Sequence, residues 1–201
     1  MIRARCPRPR QTRSATFSYL PLPSTRAIRG TGAVADLRSR RYPLGNPMKK
    51  NPIPKGFHTL TPHLEVRGAA RAIDFYCDAF GAREIVRNVG PDGRMIMHAQ
   101  LQIGDSMLLL HDEFAESGGE SPHTLEGSAV TLHLYVEDAD AAFARAVKAG
   151  ATIEMPLGDQ FWGDRYGQLK DPFGHRWSIA SKIEDLTPAQ VRERAAKYFQ
   201  H

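Results

Sequence analysis

Two histidines stand 70 residues apart in matching surroundings. Thr61-Pro62-His63-Leu64-Glu65-Val66 returns as Thr131-Leu132-His133-Leu134-Tyr135-Val136. Both segments read as strands, in which residues i and i+2 share a face. Thr61, His63 and Glu65 then lie on one face of the first, and Thr131, His133 and Tyr135 on one face of the second. Imidazole titrates near neutral pH, so such a pair could transfer protons without a metal. It could also hold a divalent metal, with Glu65 as an additional oxygen donor. The plainer reading has both rings lining a polar cavity and bonding to nearby hydroxyls. That reading is favoured, because no carboxylate-rich shell accompanies the histidines.

Other side chains could serve a ligand. Tyr135, Trp162 and Tyr166 could stack a planar molecule, or simply fill the core, since aromatic rings give large contact area at low entropy cost. Arg165 could clamp an anion through two parallel hydrogen bonds, or form a structural ion pair with Asp164. His98 and His111 also fall in strands, and His111 reads as a solvated strand end. His175 sits in a turn and reads as surface. Cys77 reads as a small apolar residue on the buried face of a helix. No phosphate-binding glycine loop, nucleophile elbow or zinc-type Cys/His spacing occurs.

The elements that position these groups follow from periodicity. Residues 61–66 form a strand and 68–80 a helix, with Ile73, Tyr76, Cys77 and Phe80 as its apolar stripe and Gly81 as its stop. Strands follow at 84–89, 95–103 and 106–111, with turns at Gly90-Pro91-Asp92-Gly93 and Gly104-Asp105. Residues 112–128, rich in Gly, Ser, Glu and Pro, read as a linker. The second unit repeats the order: strand 129–136, helix 139–148, strands 151–155, 165–170 and 176–181. Asp171-Pro172-Phe173-Gly174 has the residues of a type I turn, and Gly174 answers Gly104 at the same 70-residue offset. Thr187-Pro188-Ala189-Gln190 starts a last helix running to about 199, expected to pack Val191, Ala195 and Phe199 on one side.

Charge divides the chain. Residues 1–47 hold ten arginines and one acid, Asp36, for a charge of +9. The remainder therefore carries −4 of the +5 total, so composition gives no reason to invoke a nucleic-acid partner. The first 47 residues show no periodicity and stand open to three readings: a transit peptide, a polybasic arm, or sequence ahead of a true start at Met48. Two cysteines, Cys6 and Cys77, make no disulfide framework and point to a reducing, cytoplasmic setting. Residues 1–47 would make it organellar only as a real transit peptide. No stretch has the apolar length of a membrane helix.

Two β-α-β-β-β units, the helix start Gly68-Ala69-Ala70-Arg71-Ala72-Ile73-Asp74-Phe75-Tyr76 and the turn Asp171-Pro172-Phe173-Gly174-His175 resemble the vicinal oxygen chelate superfamily. Glyoxalase I, extradiol dioxygenases, fosfomycin resistance enzymes and bleomycin-sequestering proteins belong to it. The stretch from Ile53 to Ser181, with Phe161-Trp162-Gly163-Asp164-Arg165-Tyr166-Gly167, is similar to its PhnB-like subgroup. The resemblance covers about residues 53–183. It implies an α+β fold in which two modules, about 58–111 and 129–183, curl into half-barrels over a shared cavity within a domain at 48–183, followed by a helix at 184–201. Metal-using members draw four ligands from the first and last strand of each module. Carried over, those positions are Thr61, Leu108, Thr131 and Ser178, none of which is an imidazole or carboxylate.

The resulting expectation is a homodimeric protein that binds a small molecule between modules without the usual metal, using His63, Glu65, His133, Tyr135, Trp162, Arg165 and Tyr166. The alternative is a lyase, isomerase or dioxygenase in which His63 and His133 ligate a divalent metal or act as acid and base. A purely structural or protein-interaction module is the weakest reading. One fold hosts many chemistries, so the site must decide.

Overall fold

The computed structural model describes residues 52–114, 116 and 118–200. The readings of residues 1–47 lie outside the described residues. The first module runs β1 (His63–Val66), α1 (Ala69–Phe80), β2 (Arg83–Val89), β3 (Ile96–Ile103) and β4 (Ser106–Asp112). The second runs β5 (Thr131–Tyr135), α2 (Ala139–Ala149), β6 (Thr152–Asp159), β7 (Asp164–Lys170) and β8 (Arg176–Lys182), followed by α3 (Pro188–Tyr198). Each module builds its own four-stranded mixed sheet, ordered β1-β4-β3-β2 and β5-β8-β7-β6. The first strand of each lies parallel to the last, and the other pairs are antiparallel. The expected α+β architecture of two β-α-β-β-β modules is present, as two open sheets.

Local chemistry sets the helix ends. Gly68 takes a left-handed φ of 91° at the start of α1, where its N–H and that of Ala69 donate to Asp112 Oδ1 at 2.9 and 2.7 Å. Asp112 Oδ2 accepts from Ile96 N at 2.7 Å, so one carboxylate ties the helix start to β3. At α2, Asp138 caps Ala141 N at 2.9 Å, satisfying one of the donors that a helix start leaves open.

The two modules meet through helices. α1 packs on α2, and Tyr76 and Phe80 of α1 lie 5.4 and 4.5 Å from the Trp177 ring of β8. Phe75 meets Phe173 at 6.0 Å. Ala72, Ile73, Tyr76, Leu110, Ala146, Leu169, Trp177 and Ile179 belong to one buried cluster spanning both modules. Each sheet therefore spends one face on this core and leaves the opposite face free of helix.

The last helix departs from expectation. α3 has the predicted capping box at Thr187 and Gln190, but none of its residues is buried and Phe199 is 76% exposed. Its stripe of Val191, Ala195 and Phe199 finds no core to cover. Both sheets already carry a helix on their apolar face, so α3 is held from outside by Arg194, paired to Glu184 at 2.7 Å, and by ring contacts of Tyr198 and Phe199 with Phe161.

Candidate functional site

Alternation on β5 turns Leu132 and Leu134 toward the core and leaves Thr131, His133 and Tyr135 on the helix-free face. His133 pairs in register with Ser178 of β8, and His133 Nδ1 shares a 2.7 Å hydrogen bond with Ser178 Oγ. Ser178 in turn faces Gln168 of β7, and Ala180 faces Tyr166. The Gln168 amide donates to the Tyr166 hydroxyl at 2.7 Å. The His133 ring stacks near-parallel to Tyr166 at 5.9 Å and meets Tyr135 edge-on at 4.5 Å.

Asp164 organises the far end of this face. It is a carboxylate only 8% exposed, and its Oδ2 accepts from Tyr135 Oη at 2.9 Å and Trp162 Nε1 at 3.0 Å. The hydrogen bond to Asp164 holds the Tyr135 hydroxyl above its ordinary pKa. The turn before it makes this geometry possible. Gly163 has φ 95°, and a Cβ there would come within 2.9 Å of the Glu184 carbonyl oxygen, so only glycine fits. Trp162 is thereby carried back beside Tyr166, with ring centroids 5.5 Å apart. Arg165 points the other way: it grips Asp140 at 2.5 and 2.6 Å and Asp159 at 2.9 Å.

The first module carries a different set. His63 and Glu65 lie on the helix-free face of β1, opposite Leu109 and His111 of β4. The His63 ring stands 4.8 Å from His111 and 5.8 Å from His98, both edge-on. His111 Nδ1 donates to the Asp112 carbonyl at 2.7 Å, which leaves Nε2 facing Glu65 Oε1 across 3.7 Å. Burial, followed by the neighbouring His111, lowers the pKa of His63 and of His98, with His98 also depressing His63. Both rings are therefore neutral near pH 7. Glu65 Oε2 is buried without a hydrogen-bond partner among the described residues. Gly119 of the linker lies so close that a Cβ there would fall 2.2–2.8 Å from the carboxylate.

The sequence candidates thus separate. Tyr135, Trp162, Tyr166 and His133 share one face with Asp164 and Ser178. His63 and Glu65 belong to the other sheet, with His98 and His111. The two repeat histidines have different ring neighbours: His63 meets His98 and His111, and His133 meets Tyr135 and Tyr166. His111, read as a solvated strand end, is half-buried within the imidazole cluster. The Asp164–Arg165 ion pair does not form, since adjacent strand residues point to opposite faces. Arg165 is committed to two carboxylates rather than open to an anion. Asp164 as the organiser was not recognised. The signal was weak: Tyr135 and Asp164 are 29 residues apart, and nothing local marks their contact.

The superfamily's metal positions need one correction. Leu108 is 4% exposed in the core, on the face opposite His63. β1 pairs His63 with Leu109, whereas β5 pairs His133 with Ser178. The 70-residue offset of the first strands becomes 69 in the last ones, so Leu109 is the partner of Ser178 in the repeat. The first module therefore spends one residue more than the second between these strands: Leu109 follows His63 by 46 positions, and Ser178 follows His133 by 45. Thr61 Oγ1 donates to the His58 carbonyl at 3.1 Å, and Ser178 is engaged by His133. Thr61, Leu109, Thr131 and Ser178 offer no imidazole or carboxylate, so they do not fit a divalent ion. Among the described residues, no group of three or more His, Cys, Asp or Glu side chains is arranged to hold one.

A cavity of about 360 Å³ lies elsewhere, beside the start of α1, lined by Arg67, Gly68, Arg94, Met95, Asp112 and Glu113. Asp112 is spent on capping and Glu113 on Arg67, Thr124 and Ser121 N, so its polar lining serves the fold. Among the described residues, no helix is long and apolar enough to cross a membrane.

Comparison with known proteins agrees with this architecture. The family model described as glyoxalase/bleomycin resistance protein/dioxygenase superfamily matches residues 57–179. An uncharacterized protein of Mycobacterium bovis is 48% identical over 136 residues, covering 66% of this chain and 89% of that protein. The crystal structure of TioX from Micromonospora superposes with TM-score 0.50 at 29% identity, over 62% of this chain and 98% of TioX. The X-ray structure of an Arabidopsis thaliana gene product does so with TM-score 0.50 at 31% identity, over 62% and 98% of the two chains.

Proposed function

The chain belongs to the glyoxalase/bleomycin resistance protein/dioxygenase superfamily, and on that premise we propose that it is a small-molecule-binding protein whose second module receives a planar ligand. One observation carries the reading: Asp164 fixes the Tyr135 and Trp162 side chains on the face where Tyr166 and His133 also stand. Rings held by hydrogen bonds lose little entropy when a flat molecule stacks on them. The residues at the superfamily's metal positions carry no suitable donors, and binding by stacking requires none. The motif from Phe161 to Gly167, which builds this corner, supports a place in the PhnB-like subgroup.

A homodimer completes the proposal. Each helix-free face is half of a cleft, and Tyr135 and Val130 are both 65% exposed on the second module. A second copy laying its first-module sheet over this face would enclose the ligand, and sedimentation of the purified chain would read a dimer.

The test is a titration of the full chain with planar tricyclic compounds, followed by tryptophan fluorescence and melting temperature. Saturable quenching with a rise in melting temperature is expected, and Trp162→Ala should weaken binding at least about tenfold. Failure of every planar compound to bind would remove the reading.

A second reading rests on the first module. Neutral His63 and His98 beside His111 and Glu65 form a set able to accept and return a proton. It describes a histidine-based lyase or isomerase. Turnover that disappears in His63→Gln and His111→Gln, yet persists in a chelator, would favour it over simple binding.

A further inference from the structure

We propose that the second-module face selects planar cations, a choice of ligand class that rests on the small-molecule-binding reading above. The recognising element is the Asp164 carboxylate behind the Tyr135 and Trp162 rings. Asp164 is nearly buried, and the partners of its Oδ2 are two neutral donors, a phenol and an indole. A carboxylate withdrawn from water and bonded only to neutral groups favours a cation nearby. Its two donors also pass electron density into their rings. Aromatic faces attract cations through their quadrupole, and richer rings attract them more strongly.

The local cations are engaged elsewhere. Arg165, next in the chain, is turned to the other side and held by Asp140 and Asp159. Lys182, the cross-strand partner of Asp164, gives its ammonium to Asp185 and acts on Asp164 and Tyr135 only through space, as a secondary competing charge. His133, the imidazole among the rings, shares its Nδ1 with the Ser178 hydroxyl. The Tyr166 oxygen accepts from Gln168, so its own proton is left to a ligand acceptor. The face therefore offers π surface, one fixed anion and one hydroxyl donor. A flat cation matches the first two, and one that also carries an acceptor oxygen or nitrogen matches all three. A planar anion meets Asp164 with like charge and no guanidinium to offset it.

The experiment compares three tricycles of the same outline: 9-aminoacridine (a cation at pH 7), acridone (neutral) and acridine-9-carboxylate (an anion), each titrated into the full chain by calorimetry. The cation should bind at least about tenfold more tightly than acridone, the scale of a desolvated cation–π contact, with the anion weakest. Asp164→Asn should bring the cation-to-neutral ratio toward one. Lys182→Gln, at an exposed position, should raise cation affinity about two- to fivefold, since a competing positive charge is removed. Equal or tighter binding of the carboxylate overturns the proposal, and so does an unchanged ratio in an Asp164→Asn protein with a native melting curve. If Asp164→Asn does not fold, Lys182→Gln decides, and cation affinity that stays level or falls overturns the proposal. Acridone binding as well as the cation sinks this inference and leaves the planar-ligand reading standing. No binding by any of the three removes both.

Discussion

Tyr76 of the first module donates its hydroxyl to Asp171 Oδ2 of the second at 2.8 Å, inside the core the two modules share. The same oxygen accepts from Trp177 Nε1 at 2.9 Å, while Oδ1 accepts from Phe173 N and His175 N, both at 2.9 Å. One carboxylate thus satisfies the turn that launches β8, the largest buried ring of its own module and a tyrosine of the other. Burial and the adjacent Asp171 raise the Tyr76 pKa well above its ordinary value, so the phenol remains a donor at every working pH.

Removing this join has a graded cost. Tyr76→Phe deletes one charge-assisted hydrogen bond and should destabilise the chain by about 1.5–3 kcal/mol. Asp171→Ala orphans four buried or half-buried donors and should cost more than about 3 kcal/mol. Urea unfolding of both variants measures the difference, and equal midpoints would contradict the network.

Gly167 of β7 marks a second tight point. A Cβ there would lie 2.7 Å from Phe143 of α2 and 2.9 Å from the Leu157 backbone. Because backbone cannot rotate away, Gly167→Ala should cost about 1–3 kcal/mol by overpacking. A melting temperature within one degree of the wild type would show that β6 yields after all.

The imidazole cluster sets a pH dependence whose sign is fixed. His63 and His98 have pKa values lowered in the folded chain, so between those values and the ordinary 6.5 the unfolded chain binds more protons. Stability should fall as pH drops from about 7 through that window. His111 and Glu65 face His63, and His111 also presses on His98. Replacing His63 and His98 with glutamine should flatten this limb of a stability-against-pH curve. Glu113 acts at lower pH: bonded to Thr124, Arg67 and Ser121 N, it is held down to about 2, so its contribution is present above 4.5 and is lost as pH falls toward 2.

Arg165 offers a control for ligand charge. It joins the start of α2 to β6 and β7 through Asp140 and Asp159, all three partly exposed. Arg165→Ala should cost no more than about 1 kcal/mol and leave planar-ligand affinity unchanged within about twofold. A large loss of affinity would return Arg165 to the site.

Deleting α3 should also be mild. No residue of the helix is buried, so truncation after Leu186 should lower stability by less than about 1 kcal/mol. A steep loss would mean that its contacts with Phe161 hold the Trp162 corner.

Much of the fold is legible in the sequence because it is written locally. Alternation announces β1 and β5, the apolar stripe at Ile73, Tyr76 and Phe80 announces α1, and Asp171-Pro172-Phe173-Gly174 announces its turn. The site is less legible because it depends on register and on distant contacts. Gly104 and Gly174 invite a uniform 70-residue offset, yet the second module is one residue shorter between its first and last strands, and the offset there is 69. A single residue of slip moves a side chain to the other face of a sheet, so an offset of 70 points to Leu108 in the core and an offset of 69 to Leu109 beside His63. Asp164 escaped notice because its partners come from a neighbouring turn and a strand 29 residues earlier. The α3 stripe misled for another reason: an apolar period shows that a helix has a face, not that a surface awaits it.

Joining the modules by their helices has a consequence for how the chain can change. A duplicated unit that closed sheet against sheet would bind both copies to one cavity, and every substitution in one would be felt by the other. Here the shared core lies behind the sheets, and the modules also meet at β1, where His175 of the turn before β8 bonds the Glu65 carbonyl at 3.2 Å. One has become a cluster of imidazoles around Glu65, the other a wall of phenol and indole around Asp164. The repeat has given this protein two differently furnished faces tied to one common core.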